Sequence, residues 1–178
     1  MEAFHIVLIF AGLAGLMILF KALFGRSSPA KQQIPPAAAA ELQQAGKRMG
    51  AVAKQASLFA EAAMLLPREI GIKSDRARLG AAFFIAGATD FVAQKNGAND
   101  IEYASVLSVI LAKVGLLTES QADKFVDSLP ASSVTQLGQD GMIKGGNAIS
   151  DWLSGKDDNA PARLLTYIEE WSSQAGGA

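Results

Sequence analysis

The longest apolar stretch opens the chain. Residues 3–20 read AFHIVLIFAGLAGLMILF, apolar except for His5, and after Lys21 the run resumes through Ala22, Leu23 and Phe24. As a helix rising ~1.5 Å per residue, Ala3 to Phe24 spans roughly 33 Å, which matches the hydrocarbon core of a bilayer. Lys21 sits near the end of that span, where its long stem carries the ammonium to the interface. The pattern predicts an uncleaved transmembrane anchor over residues 1–24. A secretory signal peptide fits less well, because it calls for a positive start, and Met1-Glu2-Ala3 carries an acid there. A buried core helix rarely runs apolar for this long. Lys21, Arg26 and Lys31 follow the segment and only Glu2 precedes it, so the positive-inside rule places the N-terminus outside and the C-terminal side in the cytoplasm. His5 is then a polar residue near the outer interface. Ala11 and Gly15 make a small-x-x-x-small pair, a face through which a second membrane helix can approach.

The stretch GRSSPAKQQIPPA, residues 25–37, has no apolar period and contains Pro29, Pro35 and Pro36. It predicts a semi-rigid linker. The body, residues 38–178, then reads as helix throughout. Leu42, Ala45, Met49, Val52, Ala56, Phe59, Ala63 and Leu66 follow steps of three and four, an amphipathic stripe ending at Pro67. Residues 42–66 therefore offer either a wall of the bundle or a homo-oligomeric seam. A second helix is expected over Asp75–Lys95, with Ser74 as N-cap and Gly97 as stop. Its run Leu79 to Ala88 is apolar all round, too short to span a bilayer and suited to the centre of a bundle. Asn99 with Glu102, and Thr118 with Gln121, are capping-box pairs that start a third helix, ending near Gly115, and a fourth, closed by Pro130. A fifth helical region covers roughly Ser132 to Ser154. A sixth begins around Pro161 and carries Leu164, Leu165, Ile168 and Trp171 on one face. The expected class is all-α: one N-terminal transmembrane helix, a Pro-containing linker and a bundle of about five or six helices.

Composition narrows the chemistry. The 178 residues include no cysteine and one histidine, and half are apolar. Cysteine-based zinc sites, thiolate nucleophiles and disulfides are excluded, and a body without histidine cannot build a Ser-His-Asp triad. A carboxylate-only cation site is still allowed. Aligning Gly97 with the invariant glycine of an EF-hand loop, however, puts Val92 and Tyr103 where oxygen ligands are required. Gly138, Gly141, Gly145 and Gly146 lack the Gly-Lys-Ser/Thr ending of a phosphate loop. On a helix, Gly138, Gly141 and Gly145 share a face and form a groove for close packing, unless Asp140-Gly141 and Gly146-Asn147 are turns. The pairs Asp157-Asp158 and Glu169-Glu170 read as solvated surface, and Asp90 as a polar residue at the edge of the apolar run. No catalytic, cofactor or metal site is predicted.

Charge is segregated although the net charge is only −1. From Lys21 to Arg78 there are ten basic and four acidic residues; from Leu79 to Ala178 there are six basic and twelve acidic. The basic half directly follows the apolar run, where an anionic inner leaflet attracts Lys and Arg. Arg68, Lys73, Arg76 and Arg78 cluster around one interhelical turn, as candidates for lipid headgroups or an acidic partner. No aromatic residue interleaves them, which argues against nucleic acid. The sequence thus predicts a single-pass membrane protein whose helical domain faces the cytoplasm (the cytoplasmic membrane, in a bacterium) and acts as a non-enzymatic scaffold or adaptor for other proteins. The alternatives are a binding module for a small apolar or lipid ligand and, after it, a carboxylate-metal enzyme.

Overall fold

The computed structural model describes residues 35–174. The predicted anchor, the face formed by Ala11 and Gly15, and most of the linker lie outside the described residues. What is described is all-helical. In chain order the helices are α1 (Pro36–Ala63), α2 (Leu65–Ile70), α3 (Asp75–Lys95), α4 (Asp100–Lys113), α5 (Glu119–Ser132), α6 (Gln136–Leu153) and α7 (Arg163–Ser173), with a 3-10 turn (Ala160–Ala162) leading into α7. No helix among the described residues is long and apolar enough to cross a membrane.

Local chemistry sets most boundaries. Ser74 accepts from the Ala77 amide and starts α3, and Gly97, at φ 67°, follows its end. Both capping boxes form: Asn99 and Glu102 satisfy each other's backbone donors at the head of α4, and Thr118 and Gln121 do so at the head of α5. Gly115, at φ 66°, follows the end of α4.

Proline separates the structure from the sequence pattern at three places. Helix α1 begins at Pro36, inside the expected linker; a first-turn proline loses no hydrogen bond. The long stripe does not continue to Pro67. The chain breaks at Met64, and Pro67 becomes the third residue of the short α2, where its missing N–H would have been unpaired anyway. Leu66 consequently leaves the stripe and is 44% exposed. Pro130 does not close α5, which runs on to Ser132. Only the Val126 carbonyl, four residues back, loses its helical donor, and that is tolerable within the last turn.

Helix α3 is the axis of the bundle. Every residue from Gly80 to Thr89 is buried, and α3 touches α4, α6 and α7. Burial on all sides explains why its apolar run has no polar face. Helix α4 pairs with α5, and α2 leans on α7. Helix α1 packs through side chains. Phe59 stacks on Phe84 of α3 at 5.9 Å between ring centroids and meets Trp152 of α6 at 5.6 Å; Phe84 continues to Tyr167 and Tyr167 to Trp171. Val52, Ala56, Phe59 and Ala63 are fully buried within this unit, whereas Leu42, at the other end of the stripe, is 62% exposed. A β-carbon added at Gly46 or Gly50 would meet nothing within 4 Å. The part of α1 before Val52 is therefore only sparsely covered by the other described residues.

Candidate functional site

The glycine face of α6 is filled by the fold. A β-carbon on Gly145 would overlap the Phe84 carbonyl, and one on Gly87 of α3 would overlap the Met142 carbonyl. At Gly141 it would lie 2.6 Å from the Phe83 β-carbon. Helices α3 and α6 therefore touch backbone to backbone, which larger residues forbid. Gly138 faces elsewhere, against the Ser132 and Ser133 backbone at the end of α5. Asp140-Gly141 and Gly146-Asn147 are not turns: α6 is continuous through both. The ring of Trp171 lies against Gly80, and its Nε1 donates to Asp140 at 2.9 Å.

The basic cluster is spread around the α2–α3 corner. Arg68 Nε donates to the Val114 carbonyl at 2.7 Å and a second nitrogen donates to Lys113 O at 3.3 Å, so its guanidinium tends the C-terminal carbonyls of α4. Arg76 reaches Gln174 at 3.2 Å, and Arg78 reaches the Ile72 carbonyl at 3.2 Å. Lys73 lines an open cleft of ≈ 400 Å³ between the α2–α3 turn and α7, with Ile70, Ile72, Leu165, Ile168 and Glu169 among the other residues that line it.

Asp90 lies in α3 just past its buried run, in a second open groove of ≈ 340 Å³ between α3 and α6 that Asn147 and Ser150 also line. Its carboxylate accepts from Gln94 at 2.7 Å. Burial, helped by the charge of Asp100 and opposed by the Gln94 hydrogen bond, pushes its pKa above the usual carboxylate range. Tyr103 donates to the Ala86 carbonyl at 3.3 Å; burial, with the charge of Asp90 adding to it, raises its pKa well above the ordinary phenol value.

Three polar clusters escape sequence reading. Arg48 of α1 forms a two-pronged pair with Glu102 of α4, at 2.7 and 3.1 Å, while Glu102 also serves the capping box. The Arg48 hydrogen bonds hold the Glu102 carboxyl below its ordinary pKa, against a desolvation that raises it. Lys144 bridges Asp140 at 2.9 Å and Glu170 at 2.7 Å, with its ammonium 4.4 Å from the Tyr167 ring centroid. Arg163 pairs with Asp151 and Asp157 and ties α7 back to α6. Glu170, itself exposed, and Asp157 are thus ion-paired, and their neighbours Glu169 and Asp158 are exposed. The contacts that join different helices span 54, 26 and 12 residues and have no local signal, whereas Asp140 and Lys144 stand at i,i+4 spacing on one helix. Among the described residues no three His, Cys, Asp or Glu side chains are grouped to hold a metal ion.

Comparison of the chain with protein-family models, with curated proteins and with solved structures gives no match.

Proposed function

We propose that the protein is a membrane-tethered, non-enzymatic scaffold or adaptor, anchored by residues 1–24 and presenting its helical domain to cytoplasmic partner proteins. The observation that carries the reading is the order of features along the chain: a bilayer-length apolar run, then a basic half, then an acidic half. A basic segment beside the anchor favours an anionic leaflet, and the acidic segment turns toward the cytosol. The exposed, stripe-bearing start of α1, with Leu42 outermost, offers a helix face for a partner or a second copy. A ligand-binding reading has less to rest on, because the backbone of α3 fills the groove beside Gly141 and Gly145.

The test is purification of the full chain from membranes in mild detergent. The reading expects other proteins to co-purify at fixed stoichiometry. A monodisperse monomer that carries no partner, from several detergents, would refute it.

A further inference from the structure

Ten large apolar side chains are exposed among the described residues, and four of them (Leu65, Leu66, Ile70 and Leu79) fall within one stretch, Leu65 to Leu79. In α2 the exposed Leu65, Leu66 and Ile70 share an outward arc with Glu69, across from the buried Pro67. This stretch holds Arg68, Lys73, Arg76 and Arg78 against Glu69 and Asp75, a balance of +2. Residues 35–174 together carry thirteen basic and sixteen acidic residues, so the corner is a positive pole on a negative body.

The fold joins the two features. The open cleft of ≈ 400 Å³ has Ile70, Ile72, Leu165 and Ile168 in its lining, with Lys73 and Glu169 beside them. Arg78 donates to the carbonyl of Ile72, which lines the cleft, and Arg76 donates to Gln174, two residues beyond the lining Ser172. Each guanidinium has five N–H donors, so these bonds leave most of them free.

We propose that the α2–α3 corner seats on an anionic lipid leaflet. Ile70 and Leu66 enter the boundary between headgroups and acyl chains, and Lys73, Arg76 and Arg78 meet lipid phosphates. Exposed apolar side chains flanked by cations are the pattern by which an element lies on a leaflet without spanning it. The occupant follows from charge: an anionic surface attracts this corner and repels the acidic remainder, which fixes the orientation of the domain. Glu69 and Glu169 keep the contact weak and salt-sensitive. The inference rests on the tethered reading, since the tether holds a weak corner near its leaflet.

The chain has no cysteine, so Ile70→Cys or Leu66→Cys places a single environment-sensitive nitrobenzoxadiazole dye at an exposed position. The full-length variants are reconstituted with vesicles of phosphatidylcholine alone or mixed with phosphatidylglycerol; Val134→Cys serves as a control at an exposed site elsewhere. Flotation with phosphatidylcholine alone reads the tether, and dye emission reads the corner. The proposal expects a blue shift and quenching by acyl-chain nitroxides at positions 70 and 66 in the anionic vesicles only. It expects none at position 134, and loss of the shift in a K73E/R76E background that still floats. A chain that floats but keeps an aqueous dye at both positions in anionic vesicles overturns the proposal and leaves the tether standing. A chain that fails to float on phosphatidylcholine, yet buries the dye on anionic vesicles, overturns the tether and keeps the corner. A shift that persists in K73E/R76E, or one that grows with protein concentration without lipid, overturns the proposal; the latter points to a second copy.

Discussion

Replacing Gly145 with alanine adds one methyl group where α6 meets the Phe84 carbonyl. The obstructing atom is backbone, so no rotamer change relieves the overlap, and the helices must separate by roughly 1 Å or more to regain an ordinary C···O distance. Overpacking of this kind costs ~1–3 kcal/mol, and a backbone clash at the axis of the bundle belongs at ~3. Alanine returns about 1 kcal/mol of helix propensity. The net expectation is a loss of about 2 kcal/mol, about 7 °C in Tm for a domain of this size. Gly146, the next residue, supplies the control. Its added β-carbon would meet the Gly87 carbonyl at 3.6 Å, an ordinary contact, so Gly146→Ala keeps the propensity gain and raises Tm by a few degrees. Both tryptophans, Trp152 and Trp171, lie in the bundle, so fluorescence-detected unfolding of the full chain reads this domain. Equal shifts for G145A and G146A, or a stabilised G145A, would refute the backbone-on-backbone crossing.

Other outcomes follow from the same structure. Glu102 has a folded-state pKa below its ordinary 4.5, so its stabilisation is present above pH 4.5 and is lost as the pH falls through the lowered value. Glu102→Gln keeps the capping box but not the charge; it should unfold earlier than wild type at pH 7, and the two chains should converge in acid. Asp90 has the opposite sign. Its raised pKa means that ionisation is penalised in the fold above that pKa, and that the penalty vanishes below 3.8. Asp90→Asn should therefore be more stable than wild type at pH 7, with a gain that shrinks on acidification; an unchanged difference from pH 4 to 8 contradicts the assignment. Phe84→Ala empties the site between Phe59 and Tyr167 and should cost about 3–5 kcal/mol in denaturant titration, whereas a loss below about 1 kcal/mol would mean that the aromatic row is not the core.

What was legible along the chain was local. Helix α3 carries its own start in Ser74 and its stop in Gly97, and two capping boxes announce themselves at three-residue spacing. The all-round apolar run of α3 identifies a central helix before any partner is known. Pro67 and Pro130 look like helix ends in the sequence, whereas what decides is whether the missing N–H was needed, and that depends on where the next helix begins. The glycine spacing of α6 indicated a face for close approach but not its partner, because the match with Gly87 and Phe84 is a tertiary fact. The Arg48–Glu102 and Lys144–Glu170 pairs join residues far apart in sequence, where charge alone gives too many possible pairings. Arg68 carried a basic-patch signal, yet it holds the end of α4, and a residue type cannot distinguish those two uses.

The proposed tether requires that residues 1–24 stay attached and hold the bundle on the cytoplasmic face of a membrane. Fusing the C-terminus of the full chain in turn to alkaline phosphatase, active only outside the cytoplasm, and to a fluorescent protein that matures only inside it tests this directly, with the N-terminus of the recovered protein sequenced in parallel. A tethered, inward-facing bundle gives a membrane-bound fluorescent fusion, a silent phosphatase fusion and an N-terminus ahead of the apolar run. An active phosphatase fusion, or a mature chain that starts beyond Phe24, would contradict it.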